Sequence, residues 1–402
     1  MSPVLLPFDI IALIIDTVGE NKDTNLLKEL SLVSQSFLQI CSKHLFATVI
    51  LHDANPNYHL ASTKKGFAKL LKTRIDVVKY IRKFTYYVAY NTIEDHQLSS
   101  ILLNIFPIFS CLNHLAIIDS YQDWNTLNSP LTSAFLHLMH LPTINRIEIS
   151  NIQNFPLSSL TLSINLHRLD IAHLGYVNPL EEESSPETIL EMMPKIRELH
   201  TSNSSLPTTR LLQAKTQDGQ SAFDIMELRQ LSMSFVRFED ERNIRYLLQN
   251  AKLLEKFNLS VFCARSLVGI LSLCPSTLKD LKVALHNSGS ALIGGLCEEL
   301  EALAGHNKLE ALSFALQVDG NATEDSLGSI MQEVEKVLVK PGWSTLRQVS
   351  FKISIAPWGN SDKLCEALQS LPQKYLSHLS KLKSISFNYS AYLLTLVSTP
   401  AT

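Results

Sequence analysis

The sequence predicts an α/β solenoid, a parallel sheet built from repeated strand–helix units, preceded by a small module of three helices. Three observations predict it. A six-residue pattern, apolar-x-x-apolar-x-apolar, recurs eleven times beyond residue 80. Helix-like stretches lie between several of its copies. The chain has 402 residues, 46% hydrophobic and 18% charged, which is long for one core and too apolar for a disordered chain.

The first element is read from Leu6-Pro7-Phe8-Asp9 onward. Pro7 suits a first helical position, where its missing N–H would be unpaired anyway. Asp9 puts negative charge at the positive end of the dipole. Ile11, Ile14, Ile15 and Val18 then recur at helical spacing, and Gly19 closes the element. After the polar tether from Glu20 to Asn25 comes a second apolar stripe, Leu26, Leu27, Leu30, Val33 and Phe37. A third short helix is expected to carry Leu45, Phe46 and Val49. Helices this short bury little by themselves. The module is therefore expected to keep an exposed apolar face, of the kind that serves as a partner site.

The strings Leu6-Pro7-x-x-Ile10-x-x-x-Ile14-Ile15, Leu26-Leu27-x-x-Leu30-Ser31-Leu32-Val33-Ser34-x-x-Phe37 and His44-Leu45-Phe46-x-x-Val49-x-Leu51 resemble the F-box motif, in particular the F-box-like variants abundant in fungi. The resemblance implies docking on the Skp-type adaptor, and through it on cullin, in a Skp–cullin–F-box ubiquitin ligase. Carried over by position, the adaptor-binding surface would be Leu6, Pro7, Ile11, Ile14, Leu30, Val33, Ser34 and Phe37. Many F-boxes end on a tryptophan where this chain has Phe37 and Phe46. The alternative is that the helices only cap the repeats that follow.

The repeats begin with Ile81/Phe84/Tyr86, Leu112/Leu115/Ile117, Ile144/Ile147/Ile149, Leu166/Leu169/Ile171 and Ile196/Leu199/Thr201. They continue with Leu228/Leu231/Met233, Leu254/Phe257/Leu259, Leu278/Leu281/Val283, Leu309/Leu312/Phe314, Leu346/Val349/Phe351 and Leu382/Ile385/Phe387. First positions fall 22 to 37 residues apart, about 30 on average. Helices are expected within Thr132 to Met139, Pro186 to Met193, Arg242 to Asn250, Gly289 to Leu303 and Thr323 to Leu338. A short strand plus a helix at a near-fixed period is the signature of leucine-rich repeats, here irregular, since the period is long and the usual asparagine ladder is missing. The competing fold is a non-repeating α/β sheet protein. The expected organisation is an F-box-like adaptor-docking module over 1–52, a helical connection over 53–80, and an irregular leucine-rich-repeat arc over 81–402.

Strand side chains alternate, so residues flanking each central apolar position point away from the core. That places Arg146, Glu148, Arg168, Asp170, Glu198 and His200 on three successive strands as candidate target-binding residues. Gln230, Ser232, Ser234, Asn258, Ser313, Ser350 and Ser386 follow on later strands. Solvated strand faces are also simply polar, which is the plainer account of them.

No chemistry is legible. Gly289 and Gly294 have phosphate-loop spacing, but Gly295-Leu296 stands where a lysine and a hydroxyl are needed. His137-x-x-His140 lacks a third metal ligand and reads as a structural pair. The acidic run Glu181-Glu182-Glu183 before Ser184-Ser185-Pro186 reads as a loop into a helix. No cofactor, metal or catalytic residue is expected, and the chain reads as no enzyme; the enzyme alternative would need a deep pocket of converging titratable groups.

A net charge of −3 gives no reason to expect nucleic acid or an anionic membrane. The run Lys64, Lys65, Lys69, Lys72, Arg74 reads as a solvated helix face. Six cysteines without a CxxC pair, no basic leader and no long apolar span point to the cytoplasm or nucleus. The function expected is substrate recognition: a target protein held on the repeats, the adaptor on the helices. Its rival is a leucine-rich-repeat scaffold unconnected with ubiquitin.

Overall fold

The computed structural model describes residues 7–52, 62–88, 93–174, 193–215, 219, 221–262, 266–286, 295–305, 308–318, 323–356 and 361–393. The chain separates into two compact units, Met1–Pro194 with Gln213–Phe223, and Lys195–Leu212 with Asp224–Thr402.

The first unit opens with α1 (Phe8–Glu20), α2 (Thr24–Ser31) and α3 (Gln35–Leu45). Their starts are set by local chemistry. The Pro7 carbonyl accepts from the N–H of Ile10 and Ile11. The Asp23 carboxylate accepts from Leu26 N, and the Ser34 hydroxyl from Phe37 N at 3.3 Å. Such side-chain caps satisfy donors that a helix start leaves orphaned. The three helices close over Ile15, Leu27 and Cys41, with Ile11, Val18, Leu30, Phe37, Ile40 and Leu45 packed around them.

Six strands follow in the same unit: β1 (Thr48–His52), β2 (Ser62–Thr63), β3 (Lys83–Tyr87), β4 (His114–Asp123), β5 (Arg146–Gln153) and β6 (Arg168–Ala172). They pair in parallel in the order β6-β5-β4-β3-β1-β2. Parallel neighbours need a crossover, supplied here by α4 (Lys64–Thr73), α5 (Ile93–Ile105) and α6 (Ser129–Met139). The second unit contains β7 (Glu198–Ser202), β8 (Gln230–Phe235), β9 (Lys256–Phe262), β10 (Asp280–His286), β11 (Ala311–Val318), β12 (Gln348–Ile355) and β13 (Ser386–Leu393). These too pair in parallel, each with the next in sequence. The intervening helices are α7 (Ser205–Gln213), α8 (Phe238–Asn250), α9 (Leu296–Leu303), α10 (Glu324–Leu338), α11 (Ser361–Gln369) and α12 (Leu371–Tyr375). Within each unit this is the layout of an α/β solenoid: an open parallel sheet whose strands succeed one another as they do in the sequence.

Each of the eleven sequence repeats meets one strand, β3 to β13. In β3 to β12 the three patterned positions are buried, and the register pairs middle with middle: Phe84 with Leu115, Leu115 with Ile147, Leu281 with Leu312. Full burial of each such side chain contributes on the order of 1.5–3 kcal/mol. Helix residues such as Phe135, Leu247, Leu300 and Met331 close the other side of the core. Buried polar side chains borne on helices tie neighbouring repeats together. Glu299 of α9 accepts from the N–H of Gly269 and Ser272, and Glu335 of α10 from those of His378 and Leu379. Asn243 of α8 donates to Ser205 O at 3.0 Å. Backbone donors, and at Ser205 a carbonyl acceptor, are thus satisfied from a neighbouring repeat.

Several expectations are corrected. The second apolar stripe is two helices, because Ser34 breaks the chain to cap α3. Val49 lies on β1, so the third element is α3 and the sheet starts earlier than residue 81; β-branched Thr48, Val49 and Ile50 favour the strand. The connection over 53–80 holds the short strand β2 as well as α4. Lys64 is not on a solvated face: it is 1% exposed, with its Nζ 4.7 Å from the centre of the Tyr86 ring. The last repeat is displaced by two residues, since Val349 pairs with Phe387 and Phe351 with Tyr389, where Ile385 and Phe387 were expected. Alternation has a period of two, so this slip keeps the same residues facing the core. The helix expected from Pro186 to Met193, except for Met193, which is described and not helical, lies outside the described residues, as do the acidic run 181–183 and the Gly289/Gly294 spacing. Leu296 to Leu303 is the described part of the helix expected from Gly289.

An exposed apolar face and a charge ladder

The helical module is apolar on two sides. Ile15 and Leu27 face inward, while Phe8, Ile10, Leu13, Ile14, Leu26, Leu32 and Val33 are exposed, Leu32 at 86% and Val33 at 64%. Ile10, Leu13, Ile14 and Thr17 share one face of α1 by their three- and four-residue spacing. Leu32 and Val33 form the turn between α2 and α3. Such a concentration of large exposed apolar side chains in one small module is what a partner site requires.

The expected adaptor-binding residues divide in two. Pro7, Ile14, Val33 and Ser34 are exposed. Ile11, Leu30 and Phe37 are half-buried against the module's own core. Leu6 lies outside the described residues. Sequence reasoning missed Phe8, Ile10, Leu13, Leu26 and Leu32. The signal was the run Ile10 to Ile15, apolar around the whole helix, since a helix with no polar face needs cover on both sides.

The module is braced electrostatically. Asp16 of α1 meets Lys43 at 2.6 Å and His44 Nε2 at 2.7 Å, both on α3. These partners, His44 foremost, hold its carboxyl below the usual range. Gly19 permits the close approach, because a Cβ there would overlap the His44 ring.

On the sheet, β4 to β6 carry an ion-pair ladder on the side facing away from the core. Arg146 and Arg168 each place Nε 3.0 Å from Asp170 Oδ2. Arg146 also lies 3.8 Å from Glu148, whose Oε2 is 3.5 Å from His114 Nε2. That last contact is long for a hydrogen bond, and buried His114 Nε2 finds no closer partner among the described residues. Burial pushes the His114 pKa down. Glu148 is held below its ordinary value, mainly by His114 and despite its own burial. His114 was missed because the outward positions were read only from Arg146 onward; the same rule applied to Leu115 finds it.

Glu198 and His200 lie on β7 of the second unit, where His200 Nε2 is 3.4 Å from Gln230 Nε2. His137 and His140 are occupied separately, on the carbonyls of Ser133 at 2.7 Å and Ser159 at 2.9 Å. No group of three or more metal-ligating side chains occurs among the described residues, and none of their helices is long and apolar enough to cross a membrane. No protein-family model matches the chain, and no curated protein sequence matches it.

Proposed function

We propose that the chain is a non-catalytic substrate receptor of a Skp–cullin–F-box ubiquitin ligase, docking on the Skp-type adaptor through α1–α3 and holding a target protein on its repeats. The observation that carries the reading is the exposed apolar face of α1 and the α2–α3 turn, in a segment whose sequence resembles the F-box. A cap on the repeats would bury Pro7 and Ile14 against the first strands; both are exposed, which favours docking over capping. The ladder on β4–β6 is the matching candidate for the target. Its guanidinium groups are held in place by Asp170, so a partner would meet charges already oriented, and oriented charges give specificity more than affinity. A receptor of this kind works by effective concentration, holding a target where lysine transfer becomes nearly intramolecular.

Reconstitution tests it. The full chain mixed with purified Skp-type adaptor and cullin is expected to elute as one ternary complex, and a chain carrying Leu13→Asp and Val33→Asp is expected to elute alone. Elution of the native chain apart from both proteins would leave a repeat scaffold unconnected with ubiquitin.

A further inference from the structure

We infer that the chain pairs with a second copy of itself, edge to edge, along β13. This strand ends the strand order of the second unit, and β12 is its one strand partner among the described residues. Its eight residues, Ser386–Leu393, contain no charge and no proline, and they pair with β12 through eight consecutive positions without a bulge. Edge strands of soluble proteins are normally protected by one of these devices, because their free N–H and C=O groups invite another strand. The core-facing row is also unfinished. On β12 that row is fully buried, whereas on β13 Phe387, Tyr389, Ala391 and Leu393 are only half-buried.

A copy of the same strand fits this edge. In antiparallel pairing, residues directly opposite share a face. A two-fold axis through Ser390 sets Phe387 against Leu393 and Tyr389 against Ala391, large against smaller, on the core-facing side. On the other side Ser390 meets its own copy. No like charges meet along the strand itself; the nearest cation, Lys352, lies one strand back on β12 with its Nζ 5.0 Å from the centre of the Tyr392 ring. The result is a closed, isologous dimer in which the second unit's sheet runs on into that of its partner. Eight residues make a small interface, so association is expected at micromolar rather than nanomolar concentration.

Sedimentation equilibrium of the full chain, from about 1 to 200 μM, reads this directly. The native chain is expected to pass from monomer to dimer mass across that range. Ser390→Lys puts two like charges on the axis and is expected to stay monomeric; because Ser390 is exposed but sits opposite Lys352 of β12, the melting temperature is expected to fall only slightly. Mixing it with a Ser390→Glu chain is expected to restore the dimer, because the two substituted residues then face each other. A native chain that remains monomeric overturns the proposal, as does a Ser390→Lys chain that dimerises like the native one. Failure of the mixture to recover the dimer also overturns it. No adaptor is present, so none of these outcomes bears on the ubiquitin-ligase reading.

Discussion

Asp170 and His114 stand at opposite ends of one ladder and behave differently because their surroundings differ. Asp170 takes two guanidinium groups on a partly solvated strand face, an arrangement stabilised by hydrogen bonding as much as by charge. His114 is buried, and burial disfavours its charged form. Its folded pKa lies below the ordinary 6.5, as does that of His140, again mainly through burial. The unfolded chain therefore takes up protons first as the pH falls. The stability these two residues contribute is complete above about pH 6.5 and is lost as the pH drops from there through the lowered values. Thermal melts between pH 7.5 and 5 are expected to show a falling melting temperature, and His114→Gln with His140→Gln is expected to flatten that slope. An equally steep slope in the double variant would place the titrating groups elsewhere. Neither shift was legible in the sequence, because burial on an outward strand face for His114, and at the end of α6 for His140, depends on what the fold packs there.

Among the elements, α1 serves two purposes with one apolar run. Its inner residue Ile15 holds the module together, and its outer residues Leu13 and Ile14 are held in solvent. The two faces are expected to respond oppositely to truncation. Ile15→Ala should destabilise the module by roughly 2–5 kcal/mol, the usual cost of opening a cavity in a core. Leu13→Ala should change stability by less than about 0.5 kcal/mol, as for a surface position. Urea unfolding followed by far-ultraviolet circular dichroism separates the two, and equal losses would show that Leu13 is packed in the folded chain. The sequence made the helix plain, yet it did not say which apolar residues were inside. Periodicity selects a face only when the other face is polar, and residues 10–15 offer no such contrast. The strands were easier. Each inner row is apolar and each outer row mixed, so alternation alone places β3 to β12; β13 was displaced, and β1 and β2 were read as helix or connection. The break at Ser34 was legible in principle, since serine three residues before a phenylalanine amide is a helix start; the continuous apolar spacing across it concealed the signal.

For the whole molecule, the parallel strands β4–β6 present a face with oriented charges, and the helical module presents an apolar patch. The repeat number was readable because each copy must bury the same three positions, which fixes residue type at fixed spacing. The clamps from Glu299 and Glu335 were not readable, since they join residues 27 to 44 positions apart through loops of varied length. The proposal for the helical surface is that it binds a Skp-type adaptor. Calorimetric titration of the full chain with that purified adaptor, beside a Leu13→Ala, Ile14→Ala, Val33→Ala variant, tests it most directly. The account predicts saturable binding that the variant weakens by at least about thirtyfold, the loss expected on truncating one central apolar anchor, at an unchanged melting temperature. Absence of heat and of complex with the native chain, or equal affinity for the variant, would contradict it.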